Sequence, residues 1–385
     1  MFKIATLNKI SENGLKHLRT PNYEISDDCA VANGILVRSA AMHDMDLPES
    51  LYAIARAGAG VNNIPVEKCS EKGIVVFNTP GANANAVKEL VLAGLFLASR
   101  DIVGGISWAK TLTEDVAKQV EKGKSQFAGN EILGKTLGVI GLGAIGNMVA
   151  NEAVKLGMNV IGYDPFISID AAWKLSSEVK RANEIKDIFE NSDFITVHVP
   201  LTPDTKDLIN KETIATMKDG VKILNYARGG LVNDADIKEA LNSGKVAVYI
   251  TDFPDGDIAN QKGVIAMPHL GASTEESEEN CAYMAAVQMK EYLENGNIKN
   301  SVNYPNVSMP RGEGKRVLVF HKNIPAMVTK ISGEFAKHSI NIDHMINQSK
   351  KENAVTILEL GVKELPSDMT DAIKAIEGVT GVRAI

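Results

Sequence analysis

Short runs of apolar and β-branched residues alternate along the chain with longer segments whose apolar residues recur at helical spacing. This alternation is typical of βαβ units and predicts mostly parallel sheets. The predicted strands form two series. The first contains FKIATLN, GILVRS, LYAIARAG and IVVFNTP, and the second contains KTLGVIG, MNVIGYDP, DFITVHVP, VKILNYA, VAVYITD and GVIAMP. We therefore expect an α/β protein.

The pattern changes after the second series. A helical pattern extends from Glu275 to Asn295 and leads into NYPNVSMPRGEGK, a loop whose proline, glycine and asparagine residues predict a linker. The remaining residues predict strand, helix, strand, strand, helix and strand, in the order KRVLVFH, PAMVTKISGEFAKHS, INIDHMINQSK, AVTILELG, SDMTDAIKAIEG and VTGVRAI. This βαββαβ order is that of a ferredoxin-like domain.

Length and charge restrict the function classes. With 385 residues, 44% of them hydrophobic, the chain can form two or three domains. A net charge of -7 argues against a nucleic acid partner. The three cysteines, Cys29, Cys69 and Cys281, have no spacing that indicates a disulfide framework or a zinc site, which favours a reducing compartment.

No segment indicates a membrane partner. The N-terminus lacks the apolar stretch and cleavage site of a signal peptide. The longest apolar run, Leu90 to Ala98, is about half of the roughly 20 residues that a bilayer crossing needs, and it predicts a buried helix. We expect a cytoplasmic protein.

The segment GVIGLGAIG contains Gly141, Gly143 and Gly146 in the spacing G-x-G-x-x-G. A predicted strand precedes it, a predicted helix follows, and the next strand ends at Asp164, 23 residues after the first glycine. The glycines allow a tight turn, a close approach of backbone N–H groups to a pyrophosphate, and close helix packing. A carboxylate at Asp164 accepts hydrogen bonds from ribose hydroxyls and repels a 2′-phosphate, so the predicted cofactor is NAD.

Hydride transfer to a nicotinamide also requires a proton acceptor and a group that holds the substrate. Of the seven histidines, His269 lies in the loop after the strand VIAMP, at the strand end where open α/β sheets bind ligands. His198, inside FITVHVP, is better explained as a hydrogen-bonded core residue. Arg228 in NYARGG ends another apolar strand, and a guanidinium there can hold a carboxylate through two hydrogen bonds.

The segment TDFPDGD contains three aspartates, Asp252, Asp255 and Asp257. An EF-hand that began at Asp252 would need oxygen ligands where Pro254 and Gly256 stand. We therefore expect no metal site, and Asp255 is interpreted as a solvated turn residue.

The motifs GVIGLGAIG, YDP, VHVPLTPDT, NYARGG, TDF and PHLGAST, in that order, resemble the D-2-hydroxyacid dehydrogenase family, and the tail KRVLVFHKNIPAMVTKISGEFAKHSINI resembles an ACT domain, a small amino-acid-sensing module. The resemblance implies a Rossmann NAD-binding domain inserted in a flavodoxin-like substrate domain, followed by a ferredoxin-like ACT domain. The implied limits are 1–95 and 276–303 for the substrate domain, 96–275 for the NAD-binding domain, 304–314 for the linker and 315–385 for the ACT domain. The active site would lie between the first two domains.

The resemblance also implies roles for single residues. His269 would be the acid/base, Arg228 the carboxylate ligand, and Asp252 the partner of the nicotinamide carboxamide. Asp257 would orient the histidine, but the family normally has glutamate there, so this side chain is shorter by about 1.5 Å. Either the turn brings Asp257 close enough to His269 or the pair is loose and the enzyme slower.

The same resemblance supplies the remaining contacts. The cofactor contacts comprise the residues Thr79, Gly141, Gly143, Ala144, Ile145, Gly146, Asp164, Val199, Pro200, Thr205, Ala227, Asp252 and Gly271. The substrate contacts comprise Arg38, Arg56, Ala59, Gly60 and Asn83, with the two arginines as ligands of a substrate phosphate. The implied reaction is the NAD-dependent oxidation of 3-phosphoglycerate, which begins serine synthesis.

In the tail, His321, Asn323 and Asn341 resemble effector-binding residues, so L-serine could bind between paired tails of a homodimer or homotetramer. Ala326 replaces the glycine that is usual in the first tail turn and would crowd such a ligand. Two other interpretations remain open. The substrate could be glycerate, hydroxypyruvate or 2-oxoglutarate, or the chain could be similar to corepressors that bind NAD mainly to control assembly.

Overall fold

The computed structural model describes all 385 residues. It divides into two compact units, of which the first comprises Met1–Asn83 with Glu275–Ile385 and the second comprises Ala84–Thr274.

The first unit contains nine strands and five α-helices. Its strands are β1 (Phe2–Leu7), β2 (Tyr23–Ser26), β3 (Gly34–Val37), β4 (Ala53–Arg56), β5 (Val75–Phe77), β13 (Lys315–Lys322), β14 (Ile342–Lys350), β15 (Asn353–Leu360) and β16 (Val379–Ala384). Its helices are α1 (Glu12–Leu15), α2 (Val66–Glu71), α11 (Glu275–Asn295), α12 (Met327–Lys337) and α13 (Met369–Lys374).

The second unit contains seven strands and eight α-helices. Its strands are β6 (Thr136–Ile140), β7 (Asn159–Tyr163), β8 (Lys180–Arg181), β9 (Phe194–Val197), β10 (Val221–Asn225), β11 (Val246–Thr251) and β12 (Val264–Ala266). Its helices are α3 (Ala84–Ser99), α4 (Ile102–Ala109), α5 (Val116–Gly123), α6 (Ala144–Lys155), α7 (Ile169–Ala172), α8 (Ile185–Asn191), α9 (Lys211–Thr216) and α10 (Asp234–Ser243).

The sheet at the N-terminal end of the chain is parallel, with the strand order β2-β1-β3-β4-β5. The apolar runs of the first predicted series form four of its five strands. The missing strand was β2, whose sequence YEIS contains a single buried residue, Tyr23, and therefore carries little apolar signal.

The second unit is built on a seven-stranded parallel sheet with the order β12-β11-β10-β9-β6-β7-β8. All six strands of the second predicted series are present, and the two-residue strand β8 was not predicted. The chain order reverses between β6 and β9, which is the topological switch point where doubly wound sheets bind ligands. The α/β fold with parallel sheets is therefore confirmed.

The tail forms an antiparallel sheet with the order β14-β15-β13-β16. Its strands and helices follow the predicted βαββαβ order. Side chains alternate along β13 because its two faces meet different partners. Val317 and Val319 pack with helices α12 and α13, whereas Leu318 and Phe320 join the core of the parallel sheet β1–β5.

The loop that the sequence predicted to be a linker is packed into this core. Tyr304 and Val307 are 1% and 3% exposed, and the Tyr304 ring meets the Phe320 ring edge-on, with centroids 4.9 Å apart. The apolar residues of this loop are separated by proline, glycine and asparagine, so the sequence did not indicate their burial.

Two buried arginines fix the tail to the carboxyl end of α11, where the helix dipole favours cations. Arg316 donates to the carbonyl of Asn295 at 2.5 Å and forms an ion pair with buried Glu359. Arg383 donates to the carbonyls of Tyr292, at 2.9 Å, and of Leu293. The tail sheet and the parallel sheet of this unit therefore share one core.

No single helix has both the length and the apolar composition needed to cross a membrane. Helices α3 and α4 meet that criterion only as a pair joined at a bend of 71°, and by length and composition alone. The run Leu90 to Ala98 lies within α3, and its residues Val91 and Leu95 are fully buried.

We expect Arg316→Met to lower the free energy of unfolding by about 3–5 kcal/mol, because Glu359 would remain in a buried site without its main partner. Urea unfolding followed by fluorescence measures this change. The matched control is Arg19→Met, which removes an exposed ion pair with Glu12 and should cost less than about 1 kcal/mol. The double variant Arg316→Met/Glu359→Leu should recover part of the loss. Equal effects of Arg316→Met and Arg19→Met would contradict this account.

Candidate active site

The predicted site residues of the second unit lie in loops at the carboxyl edge of its sheet. The strands β12, β11, β10, β9, β6 and β7 are consecutive neighbours and parallel, so all of them end at the same edge. The loops that follow them carry His269, Asp252, Arg228, the segment 198–200, Gly141 and Asp164, respectively. Residues that are far apart in the sequence are thereby brought to one edge.

The three glycines of the loop after β6 differ in how much space surrounds the position of a Cβ atom. Gly141 has φ of 90°, and an added Cβ would lie 2.7 Å from the carbonyl oxygen of His198. A Cβ on Gly146 would lie 1.9 Å from the carbonyl oxygen of Gly141. A Cβ on Gly143 would meet no atom within 4 Å. The first and third glycines are thus required by the fold, and the second faces open space.

This open space lies at the N-terminus of α6, where Gly143 is the capping residue and provides no side chain to accept the first N–H groups. Uncapped N–H groups and the positive end of a twelve-residue helix attract phosphate oxygens. Ala144 and Ile145 form the first turn of the helix, and Ala144 is exposed. The local structure fits a dinucleotide pyrophosphate.

The carboxylate of Asp164 is held beside the glycine loop. It accepts the N–H of Leu142 at 2.8 Å through one oxygen and the N–H of Phe166 at 2.8 Å through the other. Gly141 also donates its N–H to the carbonyl of Tyr163 at 2.8 Å. The carboxylate is therefore fixed next to the pyrophosphate loop, as a ribose ligand must be.

The loops after β9 and β10 hold the other cofactor candidates of this edge. Val199 adjoins Gly141, since its Cγ1 lies 2.9 Å from the Cβ position built on that glycine. The Thr205 hydroxyl donates to the carbonyl of Pro200 at 2.6 Å and so closes the loop after β9. Ala227 donates its N–H to the side chain of Asn225 at 3.1 Å.

His198 directly follows β9, is half-buried, and is hydrogen-bonded through one ring nitrogen, in agreement with the predicted structural role. Its Nε2 lies 3.0 Å from the hydroxyl of Thr196, and burial lowers the pKa of His198 to about 4. It is therefore neutral at physiological pH and has no evident part in the chemistry.

Arg228 is exposed, and its side chain makes a single hydrogen bond, of 2.6 Å, to the carbonyl of Ala227. No carboxylate pairs with its guanidinium. The loop is organised by Asn225, which is 1% exposed and donates to the carbonyl of Arg228 at 2.8 Å. Sequence reasoning missed Asn225, although an asparagine that ends an apolar strand was a signal for it.

Asp252 fixes the loop that carries His269. It is 1% exposed, and its two carboxylate oxygens accept the N–H groups of Leu270 and Gly271 at 2.7 Å each. Its carbonyl accepts the N–H of His269 at 3.1 Å. The cofactor candidate Gly271 is buried and committed to this carboxylate. The sequence had assigned Asp252 to the cofactor alone, and its function as a clamp on this loop was not predicted.

His269 itself is exposed, has φ of 56°, and lies against Phe253 with ring centroids 4.6 Å apart. The left-handed backbone conformation is uncommon for a residue with a side chain and indicates a constrained loop. Its imidazole nitrogens are without a hydrogen-bond partner.

Asp257 is not brought to His269. Its side chain is 84% exposed and forms an ion pair with Lys238 of α10, which lowers the pKa of Asp257. Asp255 lies exposed in the same turn, as predicted. No group of three or more His, Cys, Asp or Glu side chains is arranged to hold a metal ion.

The first unit carries its own candidates at the carboxyl ends of β3 and β4. Arg38 forms an ion pair with Glu278 at 2.5 Å, and the Nε of Arg56 donates to the carbonyl of Arg38 at 3.0 Å. The side-chain oxygen of Asn8 accepts three consecutive N–H groups that begin with that of Arg38. Neither Glu278 nor Asn8 was predicted.

The loop after β4 presents the N–H groups of Ala59 and Gly60, which make no hydrogen bond within the chain. The Ala59 carbonyl accepts the side-chain amide of Asn78 at 2.6 Å, and the N–H of Thr79 donates to the carbonyl of Gly58 at 3.0 Å. Thr79 is fully buried, and Asn83 is half-buried.

The three regulatory candidates do not meet within one chain. His321 is 2% exposed and its ring nitrogens contact the carbonyl of Lys322 and the hydroxyl of Thr356. Asn323 follows the same end of β13, whereas Asn341 precedes β14 at the opposite end of the tail sheet, about 20 Å away.

Comparison with known proteins gives a consistent result. Residues 101–271 match the family model described as D-isomer specific 2-hydroxyacid dehydrogenase, NAD binding domain. The D-3-phosphoglycerate dehydrogenase of Methanocaldococcus jannaschii is 34% identical over 374 residues, which is 89% of this chain and 70% of that protein. The enzyme of the same name from Bacillus subtilis is 33% identical over 341 residues, 84% of this chain and 62% of that protein.

The chain thus spans about two thirds of the length of these relatives. Among solved structures, NAD+-bound 3-phosphoglycerate dehydrogenase of Entamoeba histolytica superimposes with a TM-score of 0.62 at 29% identity, over 78% of this chain and 98% of that one. The glycine loop, the fixed carboxylate of Asp164 and these matches agree on NAD as the cofactor. The chain belongs to the D-isomer specific 2-hydroxyacid dehydrogenase family.

Proposed function

We propose that the chain is the NAD-dependent dehydrogenase that oxidises D-3-phosphoglycerate to 3-phosphohydroxypyruvate, the first step of L-serine biosynthesis. The observation that carries the proposal is the series of loops at one sheet edge, where the unpaired Arg228 guanidinium follows β10, the clamped His269 loop follows β12, and the glycine loop follows β6 of the same sheet. The names of the relatives support the substrate.

In this proposal His269 accepts the hydroxyl proton of the 2-hydroxy acid, and NAD, held at the glycine loop, would supply the acceptor for the C2 hydride. Arg228 binds the substrate carboxylate and so orients the C2 hydrogen. Asp252 keeps the His269 loop in its constrained conformation through the N–H groups of Leu270 and Gly271. Asp257 can become a hydrogen-bond partner of the His269 imidazole only when its ion pair with Lys238 is broken.

We assign the substrate's remaining anionic contacts to the first unit. The free N–H groups of Ala59 and Gly60 are suited to carboxylate oxygens, and Arg38 with Arg56 is suited to the phosphate. Arg38 is already paired with Glu278, so a phosphate there competes with that carboxylate. The substrate contact assigned to Asn83 and the cofactor contacts proposed above, including those of Thr79 and Thr205, complete the site.

We further propose that the tail is an ACT domain in a cytoplasmic homo-oligomer, with the domain limits given by the family resemblance. Because Asn341 lies far from His321 and Asn323, an L-serine site with all three residues needs a second copy of the tail. Ala326 has φ of 66°, a conformation that favours glycine, and its methyl group narrows that site.

Two alternatives follow from the family. A related substrate, namely glycerate, hydroxypyruvate or 2-oxoglutarate, would use the same acid/base and the same carboxylate ligand without a phosphate site. A corepressor-like protein would bind NAD without turnover. Neither alternative requires two neighbouring arginines, Arg38 and Arg56, close to the free N–H groups of Ala59 and Gly60.

The substrate is tested by NADH consumption with 3-phosphohydroxypyruvate, hydroxypyruvate and 2-oxoglutarate. We expect kcat/KM to be at least about tenfold higher for the phosphorylated compound, because charge-assisted hydrogen bonds to arginine contribute about 1.5–3 kcal/mol each. Arg56→Met should remove this preference and leave the rate with hydroxypyruvate nearly unchanged. A preference for 2-oxoglutarate would contradict the substrate, and no consumption of NADH would support the NAD-binding corepressor.

The acid/base is tested with His269→Gln. We expect kcat to fall by about 100-fold or more, the usual contribution of a general base. In the unaltered chain, kcat/KM should rise with pH for oxidation and fall for reduction, because the neutral imidazole accepts a proton in one direction and the protonated form donates it in the other. The variant should lose both pH dependences. His338→Gln, in the tail, is the control, and a pH profile that survives in His269→Gln would exclude this assignment.

The clamp is tested with Asp252→Asn, whose amide cannot accept both N–H groups. We expect kcat to fall by about 10- to 100-fold, since a displacement of about 1 Å at a reacting group has an effect of this size. Hydrogen exchange at Leu270 and Gly271 should accelerate, which a loss of cofactor contact alone would not cause. Asp255→Asn, on the exposed turn, is the matched control. Unchanged exchange at both amides in Asp252→Asn would refute the clamp.

A further inference from the structure

A cleft of about 690 Å³ lies between strand β14 of the tail and the end of β5 in the first unit. The part of the first unit that precedes the tail is called the body here. The polar lining of the cleft includes Asn78, Asn300 and Asn306 from the body and Gln348 and Lys350 from the tail. The volume is within the range of small-molecule sites, which is about 300–1,000 Å³. No residue of the cleft belongs to the contacts proposed above for substrate or cofactor.

The charge of the cleft favours an anion. Lys350 is the single charged residue among those that line it, and no carboxylate is present. The Lys350 ammonium donates one hydrogen bond, of 2.8 Å, to the carbonyl of Ser301, so two of its three donors are uncommitted. Partial burial of Lys350, together with the neighbouring charge of Lys351, lowers the pKa of Lys350.

The body side of the cleft is connected to the loop with the free N–H groups. The Asn78 side chain donates to the carbonyl of Ala59 at 2.6 Å, and its backbone N–H donates to the carbonyl of Asn300 at 3.3 Å. Gln288, which is 8% exposed, donates to the Asn78 carbonyl at 3.0 Å and accepts from the Asn300 side chain at 2.6 Å. A ligand that displaces Asn78 or Asn300 therefore also changes the support of Ala59.

We propose that this cleft is an effector site for a small organic anion that carries a carboxylate, bound by the Lys350 ammonium and by the amides of Asn300 and Gln348. The amides offer both donors and acceptors, so a hydroxyl or amino group beside the carboxylate is also accommodated. Such a ligand contacts the tail and the body of one chain at the same time. It stabilises their packed arrangement, because it binds only when both sides are present.

This site differs from the serine site proposed between two tails. The paired-tail site requires Asn341 of a second copy, whereas the cleft is complete within one chain. The residue Asn341 lies at the opposite end of β14 from Gln348 and Lys350. Variants at the two ends of this strand therefore distinguish the two sites.

The test is isothermal titration calorimetry of the full chain with L-serine, D-glycerate and citrate at millimolar concentrations. We expect at least one compound to bind and Lys350→Met to weaken that binding by about tenfold or more, the loss of one charge-assisted hydrogen bond. Lys351→Met, which removes the adjacent exposed charge outside the cleft, should change the affinity by less than about threefold. Gln348→Ala should weaken binding by a smaller factor than Lys350→Met.

Three results would overturn the proposal: no binding of any of the three compounds, equal effects of the two lysine variants, or a loss of binding in Asn341→Ala with none in Lys350→Met. The last result would assign the ligand to the paired-tail site. Unfolding midpoints of the variants are measured beside the calorimetry, so that a folding defect is recognised. The readout is binding, so the outcome is independent of whether the proposed dehydrogenase activity is found.

Discussion

Backbone pairing of parallel strands is the constraint on which the candidate active site depends. Each loop at the carboxyl edge of the seven-stranded sheet carries one chemically relevant group, and the strand order sets the sequence of these groups along the edge. The glycine loop requires the same pairing, because Gly141 donates to the carbonyl of Tyr163 on the neighbouring strand. A change of register would therefore separate the pyrophosphate loop from Asp164 and Arg228 from the His269 loop.

At that edge, Asp252 shows how backbone N–H groups compensate the charge of a buried carboxylate. A charge that is 1% exposed is costly unless every oxygen has a donor, and here each oxygen accepts a backbone N–H at 2.7 Å. The charge is thus compensated by the loop that it holds. The constraint also explains the positive φ of His269, since a chain that must present two successive N–H groups to one carboxylate has few conformations available.

The sequence predicted the features whose residues lie within one short segment, and it missed the contacts that depend on where a side chain points. The glycine loop and Asp164 were predictable because turn geometry, helix start and strand end all lie within a short segment. The pairing of Asp257 was not, because a count of five positions from Asp252 does not say where the side chain points. Lys238, 19 residues earlier, takes that carboxylate instead. Glu278 was missed because its partner Arg38 lies 240 residues away in the chain. Asn225 was missed although its partners Ala227 and Arg228 lie in its own loop, and the burial of Tyr304 was missed because its neighbours are polar.

The tail has a sequence pattern typical of a separate domain, but it packs into the core of the first unit. Arg316 and Arg383 satisfy carbonyls at the end of α11, and Leu318 with Phe320 extends the core of the parallel sheet. Closely packed interiors transmit displacement because they contain few voids that could absorb it. A ligand in the proposed cleft would therefore act on the rest of its unit through packed side chains and the hydrogen bonds of Asn78, and not through a flexible tether. The residues that connect the proposed effector cleft to the loop of Ala59 are Asn78, Gln288 and Asn300, and they belong to the same unit as the core that the tail shares with the parallel sheet.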